Sequence, residues 1–203
     1  MKSQTWSMTV TKPIPTKGGW LKLDVNVGGF EIKGCTWHPA TNRLRFPRRR
    51  RTGYSKNWIT VVRAPKGFIR TLKALLKSGQ LETERDRSPR VFRIFGLRRI
   101  GGLWFVFGFE VRGVQILWCR WNPERGSIQF PITYLPGTGD KRYSETSPNI
   151  KRVVHAKGPH VLKLREALEK YAISNGVIPK ELLAAFQKEI QERKKQKQLA
   201  KAA

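Results

Sequence analysis

Alternating apolar and polar residues define the first predicted elements of the chain. Leu21, Leu23, Val25 and Val27 are separated by polar residues, which is the period of a half-buried β-strand. Glycine and proline turns separate this segment from further short strands, and a helical spacing of apolar residues follows them. The pattern predicts four strands and one helix, over 20–27, 30–37, 42–47, 58–63 and 66–78.

A second copy of this pattern lies 84 positions further along the chain. The series Cys-x-Trp-x-Pro, followed after six residues by Phe-Pro, begins at Cys35 and again at Cys119. Both cysteines of the chain fall within it, and Cys and Trp are rare residue types, so we interpret the match as an internal repeat. The repeat predicts a second set of strands and a helix, over 103–111, 113–121, 127–133, 150–155 and 160–174.

The predicted fold class is α+β. Two related repeats, each of about four antiparallel strands and a helix, are expected to form a pseudo-symmetric module that ends in a C-terminal helix. Strands are expected to pair across the repeats or across the subunits of a homo-oligomer. The predicted divisions are an N-terminal extension (1–18), repeat one (19–79), a connector (80–101), repeat two with a long loop at 134–149 (102–176), and a C-terminal helix with a basic tail (177–203).

The charge of the chain narrows the classes of function. Lys and Arg total 41 against 14 Asp and Glu, a formal net charge of +27. A charge of this size indicates a polyanionic partner, with nucleic acid first and an anionic membrane surface a distant second. Two cysteines exclude a disulfide-rich scaffold and a zinc site made only of cysteine. Without a signal-peptide core or a long apolar run, we expect a cytoplasmic protein with no membrane partner.

The basic residues concentrate in repeat one. No acidic residue occurs between Glu31 and Glu82. Strand periodicity predicts one outward face with both aromatic and basic side chains, an arrangement typical of single-stranded nucleic-acid binding. Its predicted members are Trp20, Lys22, Lys33, Trp37, Arg43 and Arg45.

Further contacts are expected beside that face and in repeat two. The basic segment Arg48–Arg51 is predicted to be a phosphate-contacting loop, supported by Lys56 and Arg63. Trp104 and Trp118 are additional candidate stacking residues. The predicted binding residues of repeat two are Arg112, Arg120, Trp121, Arg125, Lys141, Arg142 and Tyr143.

Several conspicuous residues also have structural interpretations. Trp37 and Trp121 recur at matched positions, so a core position is as well supported as a stacking role. Cys35 and Cys119 are expected to be small buried hydrophobic residues. His38 precedes a proline and has no carboxylate or second histidine in its motif, which favours a turn-capping role.

Catalytic signatures are missing from the sequence. It contains no phosphate-binding glycine loop, no zinc-protease or serine-hydrolase motif, and no clustered carboxylates for two metal ions. We therefore predict no catalytic residue, no metal ligand and no cofactor, and give a nuclease low weight.

The stretch from Phe30 to Leu76 resembles the SpoVG family of small nucleic-acid-binding regulators. The likeness lies in a strand near Phe30–Thr36, then Leu44-Arg45-Phe46-Pro47 with a basic segment, a strand near Ile59–Val61 and a helix. The order of elements is also similar to the repeats of Pur-alpha-type and Whirly-type single-stranded nucleic-acid binders. The resemblance implies that a sheet binds single-stranded DNA or RNA, with the segment after Pro47 as a contact loop.

Together these observations predict a non-catalytic protein that binds single-stranded nucleic acid with little sequence preference. Single-stranded DNA is the favoured ligand. The alternatives are an RNA-binding protein and a SpoVG-like DNA-binding transcription regulator.

Overall fold

The computed structural model describes residues 8–50, 58–83, 91–134 and 150–202. Within these residues the chain is a mixed α+β protein with two principal antiparallel sheets, two short hairpins and three α-helices, the last at the C-terminus. No helix in this part of the chain is both long and apolar enough to cross a membrane.

Sheet one is formed mainly from the first 45 residues. A short 3-10 turn, Lys17–Gly19, precedes its central pair of strands. The strands are β1 (Met8–Val10), β2 (Ile14–Pro15), β3 (Leu21–Val27), β4 (Phe30–His38) and β5 (Arg43–Arg45).

The remaining elements follow in three groups. Next in the chain come β6 (Arg48–Arg50), β7 (Trp58–Thr60), β8 (Val62–Arg63) and α1 (Lys66–Ser78). Sheet two is formed mainly by β9 (Phe92–Gly101), β10 (Trp104–Val111), β11 (Val114–Asn122) and β12 (Ser127–Gln129). The chain ends with β13 (Ile132–Tyr134), β14 (Ile150–Arg152), β15 (Val154–Ala156), α2 (Gly158–Ser174) and α3 (Lys180–Ala202).

Each sheet receives one strand from the other half of the chain. In sheet one the order is β1-β3-β4-β15, with β2 beside β3 and β5 beside β4. In sheet two the order is β12-β11-β10-β9, with β8 beside β11. Val154 of β15 pairs with Ile32, and Val62 of β8 pairs with Ile116. The two halves of the chain are therefore joined by main-chain hydrogen bonds in both directions.

A β-bulge in β4 decides which side chains reach the core. The pairing between β3 and β4 shifts after Leu23, and Gly34 adopts a left-handed conformation with φ of +78°. The extra residue changes the phase of the strand, so Cys35 and Trp37 face inward together with Ile32. The predicted face that combined Lys33 with Cys35 and Trp37 is therefore wrong.

One hydrophobic core joins both sheets and the helices. Phe30 lies at its centre, with ring centroids 5.0 Å from Phe109 and 5.7 Å from Phe92. Phe68 of α1 and Leu164 of α2 are fully buried in the same cluster. The apolar inner faces of the two sheets are thus covered by each other and by the helices.

The predicted local structure is confirmed at several points. Helix α1 has the predicted bounds and ends at Gly79, whose φ of +74° suits a left-handed C-cap. The Nδ1 atom of His38 accepts a hydrogen bond from the backbone N–H of Thr41 at 3.2 Å, so the imidazole caps the turn before β5. Cys35 and Cys119 are both buried.

Two segments carry more structure than the sequence analysis assigned. The predicted N-terminal extension contains β1 and β2, and Met8 of β1 pairs with Val27 at the edge of sheet one. The C-terminal helix continues through the basic tail to Ala202. It contacts the turn between β11 and β12, where a Cβ at Gly126 would lie 2.9 Å from the Cδ1 atom of Ile190. With φ of +59° and Ile190 this close, the turn favours glycine at position 126.

Candidate nucleic-acid interface

The outer face of sheet one carries a group of aromatic and basic side chains. Lys22 pairs with Thr36, Thr36 pairs with Arg45, and His38 pairs with Arg43. Directly paired residues of antiparallel strands project from the same face, and ring contact with His38 places Trp20 on that face too. We call Trp20, Lys22, His38, Arg43 and Arg45 the Trp20 face.

Trp20 is held in a defined orientation. Its carbonyl oxygen accepts hydrogen bonds from the N–H and the hydroxyl of Thr16, both at 2.7 Å, across the 3-10 turn. The imidazole of His38 contacts the indole edge-on, with 5.2 Å between ring centroids. The guanidinium carbon of Arg45 lies 4.0 Å from the indole centroid, a cation–π contact.

This geometry offers both kinds of contact that a single strand requires. The side chain of Arg45 is exposed, so its planar guanidinium presents a surface on which an unpaired base can stack. Lys22 and Arg43 are exposed on the same face and supply positive charge for phosphates. Stacking of one base on such a platform is worth roughly 1–3 kcal/mol.

The other half of this face has a mixed charge. The Nζ atom of Lys33 lies 3.6 Å from a carboxylate oxygen of Glu31. Asp24 accepts a hydrogen bond from the N–H of Gly34 at 2.8 Å. Lys33 therefore lies on the outer face as predicted, but its charge is partly balanced, and the unbalanced positive charge concentrates around Trp20.

Two of the predicted stacking residues belong to the core. Trp37 is 6% exposed, and its partners in the adjacent strands are Leu21 and Leu44. Trp121 is 0% exposed and lies against Phe105. Their assignment to an outward face is corrected, because the bulge in each strand turns these indoles inward.

The described part of the basic segment after Pro47, Arg48–Arg50, forms a β-strand. Arg48, Arg49 and Arg50 of β6 pair with Thr60, Ile59 and Trp58 of β7, respectively. The loop predicted for this segment is thus the first strand of a basic hairpin. Arg48 is exposed, Arg49 is half-buried, and Arg51 and Lys56 lie outside the described residues.

The predicted binding residues of the second half are dispersed. Arg112 is half-buried in the turn between β10 and β11, and Arg125 is exposed in the turn between β11 and β12. Arg120 and Arg63 lie on sheet two, where Arg120 pairs with Val106 and Arg63 with Gln115. Lys141, Arg142 and Tyr143 lie outside the described residues.

Two further tryptophans are exposed at the surface: Trp118, an additional candidate stacking residue, and Trp58, which the sequence analysis did not single out. Trp58 of the basic hairpin is 50% exposed, and Trp118 of sheet two is 37% exposed. The sequence feature that could have identified Trp58 is its position shortly after the arginine run 48–51, within the acid-free part of the chain. For Trp118 no sequence pattern distinguished an exposed indole from the buried one at Trp121.

The described residues contain no cluster of three or more His, Cys, Asp or Glu side chains able to hold a metal ion. Burial raises the pKa of both thiols, Cys35 and Cys119, above the ordinary value. A neutral, buried thiol is a poor nucleophile. The side chains of the Trp20 face offer an aromatic ring for stacking, hydrogen-bond donors and positive charge.

Comparisons of the chain with protein-family models, with curated proteins and with solved structures found no match.

Proposed function

We propose that this protein binds single-stranded nucleic acid without catalysis, through the Trp20 face of sheet one. The observation that carries the proposal is the stacked pair of Trp20 and Arg45 on an open sheet surface, flanked by Lys22 and Arg43. Single-stranded DNA is the favoured ligand and RNA is the alternative. Duplex DNA would use this face poorly, because its bases are already stacked and present no free surface to an aromatic platform.

The basic hairpin extends the proposed surface. β5 contributes Arg43 and Arg45 to the Trp20 face, and only Phe46 and Pro47 separate it from β6 with its three arginines. The half-exposed indole of Trp58 stands opposite Arg50 in that hairpin. A nucleic-acid strand bound to sheet one would thus continue onto a second group of positively charged side chains next to an aromatic ring.

We also propose that the chain is a pseudo-symmetric module made of two related repeats. Residue pairs support this at a constant offset of 84 positions. Leu21 pairs with Trp37 as Phe105 pairs with Trp121, and both strand pairs shift register two residues later. The strands exchanged between the two halves also match at this offset. β15 pairs with β4 at Ile32, and β8 pairs with β11 at Ile116, 84 positions later.

The proposal is tested with fluorescein-labelled oligonucleotides of about 20 nucleotides, a length that exceeds common single-strand site sizes. Fluorescence anisotropy compares oligo-dT, oligo-rU and a duplex at several salt concentrations. Arg45→Ala should weaken single-strand binding about tenfold, since it removes both a charge and a stacking plane. Arg45→Lys keeps the charge and should recover only part of that loss.

Lys77→Ala is the matched control, because it removes one exposed charge on α1, away from the sheet surfaces. Equal losses for Arg45→Ala and Lys77→Ala would show that the protein acts only as a generic polycation. Equal affinity for the duplex and the single strands would also contradict the proposal.

A further inference from the structure

Trp118 has a backbone conformation that is unfavourable for a bulky side chain. Its φ is +64°, in the left-handed region, and among the described residues only Asn42 and Arg112 share a positive φ without being glycine. Asn tolerates this region and Arg112 occupies a tight turn beside Gly113, whereas Trp118 lies within strand β11. A bulky residue in this region carries backbone strain and persists only where the surrounding structure holds it, which occurs most often at functional sites.

The same bulge exists in sheet one without this strain. Gly34 stands 84 positions before Trp118, at the matching register shift, and has φ of +78°. Because glycine adopts this conformation at no steric cost, the chain already contains the relaxed form of the bulge. The indole at Trp118 is therefore not required by the backbone geometry.

The indole of Trp118 is 37% exposed, and a second aromatic residue lies across the same part of sheet two. The bulge places Leu117 and Trp118 opposite Gly108 of β10. On the other side of Gly108 the ring of Phe95 occupies the space that a Cβ would need. Gly108 thus leaves room for the ring of Phe95 over its Cα, and the partly exposed Trp118 lies in the strand on the other side of Gly108.

Arginines lie on both sides of these two aromatic residues. One row across the sheet contains Arg98 and Arg120, both paired with Val106. The row on the other side runs across four strands. Its residues, in order, are Arg93, Glu110, Gln115 and Arg63, so an arginine lies at each end. Glu110 is the acidic residue of this row, and it accepts a hydrogen bond from Gln115 at 3.4 Å.

We propose that Phe95 and Trp118 form a second base-stacking site for single-stranded nucleic acid, separate from the Trp20 face. The adjacent arginine rows contact the phosphates on either side of the stacked bases. The inference rests on the proposed function, and it adds that each chain holds two segments of single strand, one on each sheet. The Trp118 site uses positions that differ from those of the Trp20 face, since Thr11, Asp24 and Gly34 occupy the matching row of sheet one.

The experiment counts bound oligonucleotides by isothermal titration calorimetry with oligo-dT of about 8 nucleotides, a length that suits one stacking site. The unaltered chain should bind two oligonucleotides, and Trp118→Gly and Trp20→Ala should each bind one. For an oligo-dT of about 30 nucleotides that spans both sites, Trp118→Gly should lose roughly tenfold in affinity. Trp118→Phe keeps an aromatic ring and should still bind two short oligonucleotides.

Thermal unfolding separates a binding role from a packing role. Because glycine suits the backbone at this bulge, Trp118→Gly should melt at the same temperature as the unaltered chain or higher. A clearly lower melting temperature would show that the indole is a packing residue and would overturn the proposal. Retention of two bound oligonucleotides by Trp118→Gly would overturn it as well.

Two further results distinguish this inference from the proposed function. Binding of one oligonucleotide by the unaltered chain, lost in Trp20→Ala and kept in Trp118→Gly, would refute the second site and leave the first intact. Unchanged oligonucleotide binding together with loss of self-association in Trp118→Gly, measured by sedimentation, would instead assign the surface to a protein partner. No binding of any oligonucleotide by the unaltered chain would refute both.

Discussion

The two buried tryptophans provide an internal comparison of hydrogen bonding in the core. The Nε1 atom of Trp37 donates to the Oδ1 atom of Asn42 at 3.4 Å. The residue 84 positions after Asn42 is Gly126, and no acceptor among the described residues reaches the buried Nε1 atom of Trp121. One indole N–H is therefore paired, and the other is buried without a partner in the part of the chain that the structure describes.

We predict that Trp37→Phe destabilises the protein more than Trp121→Phe. Both substitutions remove the same atoms from matched core positions, so the loss of buried apolar area largely cancels in the comparison. Trp37→Phe also loses a hydrogen bond with a net worth of about 1 kcal/mol. Trp121→Phe instead removes an unsatisfied donor whose burial costs about 1–3 kcal/mol. The two free energies of unfolding should then differ by about 2–4 kcal/mol.

Urea unfolding followed by far-ultraviolet circular dichroism measures this difference, provided that both variants keep the slope of the unaltered chain. Asn42→Gly is a useful control, because it removes the acceptor while keeping both indoles and suits the positive φ of +47° at this position. It leaves the Trp37 N–H unpaired and should lower stability by about 1–3 kcal/mol. Equal destabilisation by the two Phe variants, or a larger effect of Trp121→Phe, would refute the reasoning. Neither variant should change oligonucleotide affinity, because neither indole reaches the outer face.

Three further outcomes are expected. Gly28→Ala should destabilise by about 2–4 kcal/mol in urea unfolding, because φ is +57° and the new Cβ would lie 2.5 Å from Val111; wild-type stability would contradict the turn packing. Burial raises the pKa of the Cys35 and Cys119 thiols, so above about pH 9 they ionise only on unfolding. The free energy of unfolding should then fall by up to about 1.4 kcal/mol per pH unit for each thiol. A double alanine variant should show a smaller fall. A fragment of residues 1–83 should show no cooperative unfolding, since it lacks β15; a folded fragment would contradict the strand exchange.

The sequence predicted local structure well wherever a regular period was present. The helical period of Phe68, Leu72 and Leu75 places α1 within its observed bounds, because a long amphipathic stripe with a glycine stop permits few alternatives. Strand β1 was missed, since three residues are too few to establish a period of two. Its place is determined by pairing with β3 and by hydrogen bonds to residues 81–83.

The candidate site was predicted only in part, for a reason that lies in the backbone. A period of two assigns faces correctly until a bulge adds one residue, and every later side chain then changes face. The sequence assigned the correct face to Trp20, Lys22, Arg43 and Arg45. Each of them lies near the start of its strand, with no bulge in between. Cys35 and Trp37, which follow Gly34 in the same strand, were misassigned, since nothing in the sequence showed that Gly34 was a bulge rather than a regular strand residue.

The exchange of β8 and β15 also sets a time order for the biosynthesis of this protein. During translation the edge of β4 around Ile32 stays unpaired until residues 154–156 have left the ribosome. An unpaired edge strand invites pairing with a neighbouring chain, and contacts this distant in sequence form slowly. The equivalent segment of a second nascent chain can fill the same gap, so crowded synthesis on one messenger would favour interlocked dimers over monomers.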